Sequence, residues 1–362
     1  MKALIAMSGG VDSSIAAKLM RDRGYDCIGC TMQLYQNEDA GIASGKTCCT
    51  LDDAEDARSV AYSLGMPFYV FRFTEQFREQ VICPFIAQYT RGLTPNPCIE
   101  CNRKMKFETL LERAKTLGCD LLVTGHYARV AEENGKFVLK KAADPSKDQS
   151  YVLYCLTQEQ LRHIAFPCGE LKKTEVRSLA EKSDFVNADK PDSQDICFVP
   201  DGDYARIIEL HTGKKAEPGN FVDASGKILG RHKGIIHYTI GQRRGLGIAA
   251  EYPLYVLAIR PEENEVVLGK NEDLFSREAI VRDFNWISGE APKDAIRCAA
   301  KIRYRHPEQP ATVTPIDATS IRLTFDQPQR AITPGQAAVL YDGDTVLGGG
   351  TIMEAVKEEG KC

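Results

Sequence analysis

The sequence predicts an α/β protein: an N-terminal doubly wound parallel sheet, followed by a small β-rich domain and a C-terminal β-barrel. Three observations predict this. A glycine-rich turn joins the first strand to the first helix, strands alternate with helices over roughly the first two hundred residues, and short alternating runs separated by glycine turns follow. At 362 residues the chain is too long for one ordinary core, so two or three domains are expected.

The first domain is predicted to span residues 1–203. KALIAM at 2–7 is a short apolar strand, and a helix from about residue 12 to 23 follows it, with Ile15, Ala16 and Leu19 on one face. Similar patterns predict strands at 27–34, 68–73 and 121–124 and helices at 50–64, 77–92, 107–117, 156–164 and 173–182.

Turn signals dominate the rest of the chain. Asp-Ala-Ser-Gly and Pro-Glu-Glu-Asn separate short strands in residues 204–274, which are predicted to form a small β-rich central domain. Residues 275–362 contain further alternating runs and are predicted to form the barrel.

Composition narrows the class of protein. With 43% hydrophobic and 27% charged residues the chain is neither disordered nor fibrous. No apolar run approaches the roughly 20 residues of a bilayer span, and the N-terminal run ends too early for a signal peptide. We therefore expect a cytoplasmic protein without a membrane partner.

The net charge is −4, so the molecule as a whole lacks the positive charge that would indicate nucleic-acid binding. Two stretches, 231–245 and 296–307, are nevertheless basic and contain no acidic residue. They are either local nucleic-acid contacts or solvated strand faces.

Thirteen cysteines, an odd number without an export signal, favour thiol chemistry or metal binding over structural disulfides. Cys48 and Cys49 are expected to be surface thiols or core packing. Seven others lie mostly in apolar runs and are expected to be structural: Cys27, Cys30, Cys83, Cys119, Cys155, Cys168 and Cys298.

The sharpest motif is SGGVDSS, at residues 8–14, between the first strand and the first helix. Glycines and free N–H groups at a helix N-terminus suit a phosphate. The string is not a Walker A loop, which requires a lysine, and it is not a GxGxxG turn. It resembles the PP-loop of enzymes that split ATP into AMP and pyrophosphate; the alternative is an ordinary glycine-rich turn.

Two further motifs carry cysteines. Cys98 and Cys101 form a CxxC pair in TPNPCIECNRKMKF (94–107), where basic side chains favour reactive thiolates. Half a zinc site is the alternative, although no second CxxC follows at finger spacing. Cys197, in KPDSQDICF (190–198), is either an accessible thiol or a small core residue.

In chain order these motifs resemble the tRNA-specific 2-thiouridylase family over nearly the whole chain. The supporting strings are LVTGHYAR (122–129), KDQSY (147–151), GQRRGLG (241–247), KIRYR (301–305) and PGQAAV (334–339). The resemblance implies a PP-loop domain of the adenine nucleotide alpha-hydrolase type. It also implies ATP-dependent 2-thiolation of the wobble uridine of tRNA, in which the C2 carbonyl oxygen is adenylated and sulfur then displaces AMP.

The resemblance also implies roles for individual residues. Cys197 would carry a persulfide received from an upstream sulfur-relay protein or cysteine desulfurase, and Cys101 would be its partner thiol. ATP, with Mg²⁺, would contact Ala6, Met7, Ser8, Gly9, Gly10, Val11, Asp12, Ser13, Met32 and Gly125. The tRNA would contact Asn96, Pro97, Cys98, His126, Lys147, Asp148, Gln149, Arg303, Tyr304 and Gln336.

One residue departs from the family pattern, in which an aspartate is expected at the position of Cys98. Cys98, Cys101 and Cys197 could together ligate three irons of a [4Fe–4S] cluster whose fourth iron carries sulfide. This alternative to the persulfide relay stays open from sequence. A non-catalytic tRNA-binding protein is the alternative from another functional class.

Overall fold

The computed structural model describes residues 1–41, 51–191 and 196–356. Cys48, Cys49, the start of the predicted 50–64 helix and the stretch 192–195 of the Cys197 motif lie outside the described residues. The strands are β1 Lys2–Ala6, β2 Asp26–Gln33, β3 Phe68–Arg72, β4 Leu121–Thr124, β5 Ala128–Glu133, β6 Lys136–Lys141, β7 Ile164–Ala165, β8 Gly219–Val222, β9 Ile228–His232, β10 Tyr255–Arg260, β11 Glu265–Gly269, β12 Phe275–Trp286, β13 Ile296–Lys301, β14 Gln309–Pro315, β15 Ile321–Arg330, β16 Ala337–Asp342 and β17 Thr345–Val356.

Helices connect the strands of the first domain and lead into the second. The α-helices are α1 Val11–Asp22, α2 Leu51–Ser63, α3 Thr74–Phe77, α4 Cys83–Thr90, α5 Pro97–Glu100, α6 Leu111–Thr116, α7 Gln158–Arg162, α8 Lys173–Lys182 and α9 Tyr204–Thr212. Two π-helical stretches, Arg78–Ile82 and Cys101–Leu110, join α3 to α4 and α5 to α6. Short 3₁₀ turns lie at Ser150–Leu153, Pro167–Glu170, Ile235–His237 and Asn271–Leu274.

The first domain is built on a parallel sheet in the order β3-β2-β1-β4-β7. Strand order reverses at β1, because the chain passes first to β2 on one side and later to β4 on the other. Loops that leave β1 and β4 therefore meet at the carboxyl edge of the sheet, which is where ligands bind in this class of fold. The predicted doubly wound sheet is confirmed.

The second and third units also have the predicted folds, a small β-rich domain and a β-barrel. A four-stranded sheet in the order β10-β11-β8-β9 surrounds the buried side chains of Phe221, Val256 and Val266. The six strands β12-β15-β14-β13-β16-β17 close into a barrel through pairing of β12 with β17. No helix within the described ranges is long and apolar enough to cross a membrane.

The hairpin β5–β6 is an element that the sequence patterns did not reveal. It leaves the first domain directly after β4 and extends the barrel sheet, with Lys140 paired to Thr345 of β17. Arg129 contacts Asp344 at 3.1 Å, and Lys141 Nζ donates to the carbonyl of Gly343 at 2.7 Å. The first and third units therefore share a sheet.

Helical structure at the CxxC motif also begins earlier than predicted. The helix expected at 107–117 starts at Pro97, because the Asn96 side chain accepts a hydrogen bond from the Cys98 N–H at 3.1 Å. An asparagine cap with proline in the first helical position is a common helix start. Cys101 opens the π-helical stretch, a local geometry that is frequent at functional sites.

Candidate active site

The SGGVDSS motif forms the loop between β1 and α1, at the point where strand order reverses. Ser13 stabilises this loop, since its hydroxyl donates to the Gly10 carbonyl at 2.9 Å and accepts from the Ser8 N–H at 3.2 Å. Gly9 has φ +77°, and a Cβ there would lie on the carbonyl of Asp53. The geometry suits close approach of a phosphate to the N-terminus of α1.

Asp12, in the first turn of α1, is held by two side chains from distant parts of the chain. Its Oδ1 atom accepts from the Tyr127 hydroxyl at 2.7 Å and from Lys173 Nζ at 2.7 Å. Tyr127 lies just after β4, in the LVTGHYAR motif (122–129). Lys173 begins α8, and its local sequence carried no signal that its side chain would be buried.

Asn187 is a second residue that the sequence patterns did not indicate, and it stabilises the glycine loop. Its side chain is 2% exposed and donates at 2.9 Å to both the Gly9 carbonyl and the Ser14 hydroxyl. Three residues later, Lys190 forms ion pairs with Asp53 and Asp56 of α2. Residues 187–190 are thereby attached to the elements around the loop.

Other residues predicted for ATP line the same edge of the sheet. The Met7 N–H donates to the Cys30 carbonyl at 2.7 Å, which continues the pairing of β1 with β2. Gly125 follows β4, and a Cβ there would lie 2.7 Å from the backbone of both Asp12 and Ser13. Only a glycine permits this approach, so the loop after β4 is pressed against the start of α1. Met32 is partly buried near the carboxyl end of β2.

Cys101 and Cys197 pack against one apolar core together with Met32. The backbone carbonyl of Cys197 accepts from the Tyr35 hydroxyl at 2.6 Å. Phe198 is buried, in edge-to-face contact with Phe77 and Phe85. Both predicted thiols are thus partly buried on the same core as one side chain predicted to contact ATP.

Electrostatics at Cys101 differ from the expected activated thiolate. Burial raises the pKa of the Cys101 thiol, and Lys106 opposes that rise only in part. The other two basic residues of the motif pair elsewhere, Arg103 with Glu100 at 3.2 Å and Lys104 with Glu108 at 3.0 Å. Cys101 is therefore a protonated thiol at neutral pH in this conformation.

Alkylation with iodoacetamide should rank the thiols accordingly. We expect Cys98 and Cys83, both exposed, to react at neutral pH well before Cys101, and Cys101 to accelerate as pH rises. Cys83 was expected to be structural, and its exposure corrects that expectation. Peptide mass spectrometry over time measures each rate, with fully buried Cys30 as the unreactive control. Modification of Cys101 as fast as Cys98 at neutral pH would contradict this assignment.

The three cysteines considered for an iron–sulfur cluster do not form a ligand set. Cys98 is exposed on α5, whereas Cys101 and Cys197 pack into the core. Within residues 1–41, 51–191 and 196–356, no group of three or more His, Cys, Asp or Glu side chains is placed to hold a metal ion. The residues present do not fit the cluster in this conformation, and no reaction step is derived through it.

His126 lies directly after Gly125 and is held as a neutral ring. Its Nδ1 lies 2.6 Å from the Thr124 hydroxyl, and its Nε2 lies 3.4 Å from Lys106 Nζ. Because an ammonium group can only donate, Nε2 is the acceptor and Nδ1 carries the proton. Burial, reinforced by Lys106, holds the His126 pKa well below its ordinary value.

The barrel contacts the segment that carries Cys98. Gln336 Nε2 donates to the Thr94 carbonyl at 2.7 Å, and the Thr94 N–H donates to the Pro334 carbonyl at 3.0 Å. Gly335 has φ +90°, and a Cβ there would lie 2.8 Å from the Thr94 nitrogen. Gln336, predicted to contact tRNA, thus positions the approach to Asn96, Pro97 and Cys98.

The turn at residues 147–149 is held by hydrogen bonds of its side chains. The Asp148 carboxylate accepts from the Ala142 and Ser150 N–H groups at 3.0 and 3.2 Å. Gln149 Oε1 accepts from the Tyr127 N–H at 2.9 Å, so the turn is tied to the residue that contacts Asp12. Lys147 is partly exposed at the start of this turn.

The basic stretch 296–307 divides into two parts. Arg297 makes a bidentate pair with Asp326 at 2.8 and 2.7 Å, so its charge is neutralised. Arg303 has no carboxylate partner among the residues described, and burial beside Arg330 lowers its pKa. Tyr304 is 38% exposed, and its hydroxyl donates to the Asp148 carbonyl at 3.3 Å. Tyr304, next to Arg303 in the chain, therefore contacts the 147–149 turn.

Comparisons with known proteins agree with this arrangement. Family models match three consecutive parts of the chain: a tRNA methyl transferase HUP domain at 1–201, a tRNA methyl transferase PRC-barrel domain at 206–270 and an aminomethyltransferase beta-barrel domain at 276–352.

Full-length relatives are similar throughout. A protein from Lachnoclostridium phytofermentans named tRNA-specific 2-thiouridylase MnmA is 52% identical over 98% of this chain and 99% of its own. Proteins of the same name from Clostridioides difficile and Symbiobacterium thermophilum are 50% and 49% identical over 98% of this chain and 99% and 93% of theirs. At this identity over nearly the full length, the chain belongs to the tRNA-specific 2-thiouridylase family.

Proposed function

We propose that this protein catalyses ATP-dependent 2-thiolation of the wobble uridine in tRNA. The observation that carries the proposal is the placement of a PP-loop at the strand-order reversal, together with two thiols that pack on the same core as Met32, near the carboxyl end of β2. Its three parts take the proposed roles of ATP-using catalytic domain (1–203), central domain (204–274) and tRNA-binding barrel (275–362). We expect the reaction to occur in the cytoplasm.

The first chemical step is adenylation. The C2 carbonyl oxygen of the uridine attacks the α-phosphorus of ATP, and pyrophosphate leaves with the electron pair of the broken P–O bond. Backbone N–H groups from Gly9 to Ser13 would hold phosphate oxygens, and Gly125 lets the loop after β4 lie against the start of α1. Asp12 supplies the hard carboxylate oxygen that Mg²⁺ favours beside substrate phosphates.

Sulfur transfer follows on the activated ring. The terminal sulfur of a Cys197 persulfide attacks C2, AMP leaves, and Cys101 then attacks the Cys197 sulfur to release 2-thiouridine and close a disulfide that an external thiol reduces. Alternatively, Cys101 releases sulfide from the persulfide before the attack on C2. Burial raises the pKa of Cys101, so a smaller fraction of it is thiolate and its attack on the persulfide is slower in this conformation.

Neutral His126 is suited to the target base rather than to a phosphate. It is one residue from Gly125, and its Nε2 lies 3.4 Å from Lys106 in the π-helical stretch that begins at Cys101. A uridine must leave the anticodon stack to place C2 there, so a base-flipping mode is proposed. The anticodon nucleotides around the flipped uridine would contact Lys147, Arg303 and Tyr304.

Anaerobic thiolation of tRNA in vitro tests the proposal. Purified protein, ATP, Mg²⁺ and a persulfide donor should yield 2-thiouridine by nucleoside mass spectrometry, with iron and acid-labile sulfide counted in the same sample. Product from iron-free protein supports the two-thiol relay. Thiolation that requires iron and is lost in Cys98→Ser would overturn the relay, and tRNA binding without ATP turnover would favour a non-catalytic binding protein.

Arg303→Ala should weaken tRNA binding about tenfold, because it removes an unneutralised cation, while ATP affinity stays unchanged. The matched control is Arg297→Ala, since Arg297 already pairs with Asp326 and should matter little. Filter binding at several salt concentrations measures both, and the salt slope should fall only for Arg303→Ala. Equal losses in the two variants would argue against a localised surface on the barrel.

A further inference from the structure

We propose that Lys173 supplies the cation that a Walker-type loop carries in its own sequence, and that its ammonium group binds the pyrophosphate leaving group of ATP. The proposal rests on the proposed use of ATP and names a residue beyond the glycine loop. SGGVDSS lacks a lysine, yet the fold brings one to it from 161 positions along the chain.

Burial and anchoring distinguish Lys173 from an ordinary surface lysine. Its side chain is 9% exposed, whereas the neighbouring Lys172 is exposed. Its backbone N–H donates to Asp144 at 3.0 Å, and α8 packs its buried Val176 and Ala180 into the same core as α1. A lysine side chain is long, flexible and strongly solvated, and it is rarely buried in this way unless its charge interacts with a partner.

The negative charge of Asp12 beside the glycine loop explains the role that we propose for Lys173. Asp12 brings a negative charge to the place where a triphosphate would bind, and a carboxylate beside phosphate is repulsive unless a cation lies between them. Lys173 Nζ is already 2.7 Å from Asp12 Oδ1. An ammonium group has three protons, so it can bridge the carboxylate and a phosphate oxygen.

The same placement favours the transition state of adenylation. As the bond to the leaving group breaks, negative charge grows on the pyrophosphate oxygen, and a fixed cation in a partly dry site stabilises that charge. Tyr127 is the positioning residue in this arrangement. Its hydroxyl binds the same Asp12 oxygen at 2.7 Å, and its ring lies under the ammonium group at 5.7 Å.

Three variants of the full-length protein test the proposal: Lys173→Met, Lys173→Arg and the exposed control Lys172→Met. The readouts are tRNA-dependent pyrophosphate release, melting temperature, and product inhibition by pyrophosphate and by AMP measured separately. We expect Lys173→Met to lose about 100-fold in pyrophosphate release. Lys173→Arg should recover part of it, and Lys172→Met should match the parent protein.

Product inhibition separates contact with pyrophosphate from a structural role. In both Lys173 variants the inhibition constant for pyrophosphate should rise while that for AMP stays constant. Equal changes in the two constants, or pyrophosphate release within about threefold of the parent in Lys173→Met, would overturn the proposal. If Lys173→Met is poorly folded, the inhibition constants of Lys173→Arg for pyrophosphate and for AMP alone decide whether the proposal holds. Absence of ATP turnover in the parent protein would instead overturn the proposed function itself.

Discussion

Cys197→Ser is expected to abolish thiolation while leaving ATP binding intact. Serine fills the same space but cannot hold a persulfide, so the sulfur never reaches the activated uridine. Folding should be little affected, because the neighbouring Phe198 anchors the segment through Phe77 and Phe85, and the Tyr35 hydroxyl contacts a backbone carbonyl rather than the thiol. Adenylation, measured as tRNA-dependent pyrophosphate release, should continue.

Cys101→Ser should also lose product formation but at a later stage. If Cys101 resolves an adduct between Cys197 and the base, a covalent protein–tRNA species should accumulate and be released by an added thiol. If Cys101 releases sulfide first, no adduct forms. Denaturing gels with and without reductant distinguish these routes.

Cys83→Ser is the matched control for both variants, since its thiol is exposed, lies outside the shared core and has no proposed role. It should retain thiolation with a persulfide donor. Multiple turnover by Cys197→Ser or Cys101→Ser would disprove the two-thiol relay. If thiolation were lost only in Cys98→Ser, the role of relay thiol would belong to Cys98.

Regular alternation made the first domain predictable. Apolar strands of four to eight residues that alternate with helices along the chain indicate a parallel sheet, and the glycine loop after the first strand marks where its order reverses. The sequence also contained the start of the Cys98 helix, in the Asn96–Pro97 pair. It was missed because the first strong apolar pattern begins at Phe107, after the polar π-helical region.

Long-range partners could not be predicted in the same way. The hairpin β5–β6 completes its sheet only by pairing with β17, two hundred residues later. Lys173 and Asn187 each look like surface residues in their local sequence, and only tertiary packing brings them to Asp12 and Gly9. Basic motifs were misleading for the opposite reason, since Arg297 has a carboxylate partner on another strand.

Gly9→Ala is the second substitution for which we expect a large effect. Gly9 adopts φ +77°, which costs an alanine about 1–2 kcal/mol, and the added Cβ would overlap the Asp53 carbonyl, 2.9 Å from its carbon. Asp53 cannot easily retreat, because it is buried on α2 and paired with Lys190. The loop must therefore move, and it would break the contact between the Gly9 carbonyl and Asn187 as it does so.

We expect this movement to abolish saturable ATP binding and to lower the melting temperature, measured by equilibrium dialysis and calorimetry. Gly10→Ala is the control one residue away, because Gly10 has φ −91° and a Cβ there would lie at ordinary contact distance, 3.5 Å, from the Ser8 hydroxyl. It should keep the parent melting temperature. A Gly9→Ala protein that binds ATP normally would show that the loop does not have to hold this conformation for the nucleotide, and the phosphate site would then have to be sought elsewhere on the sheet edge.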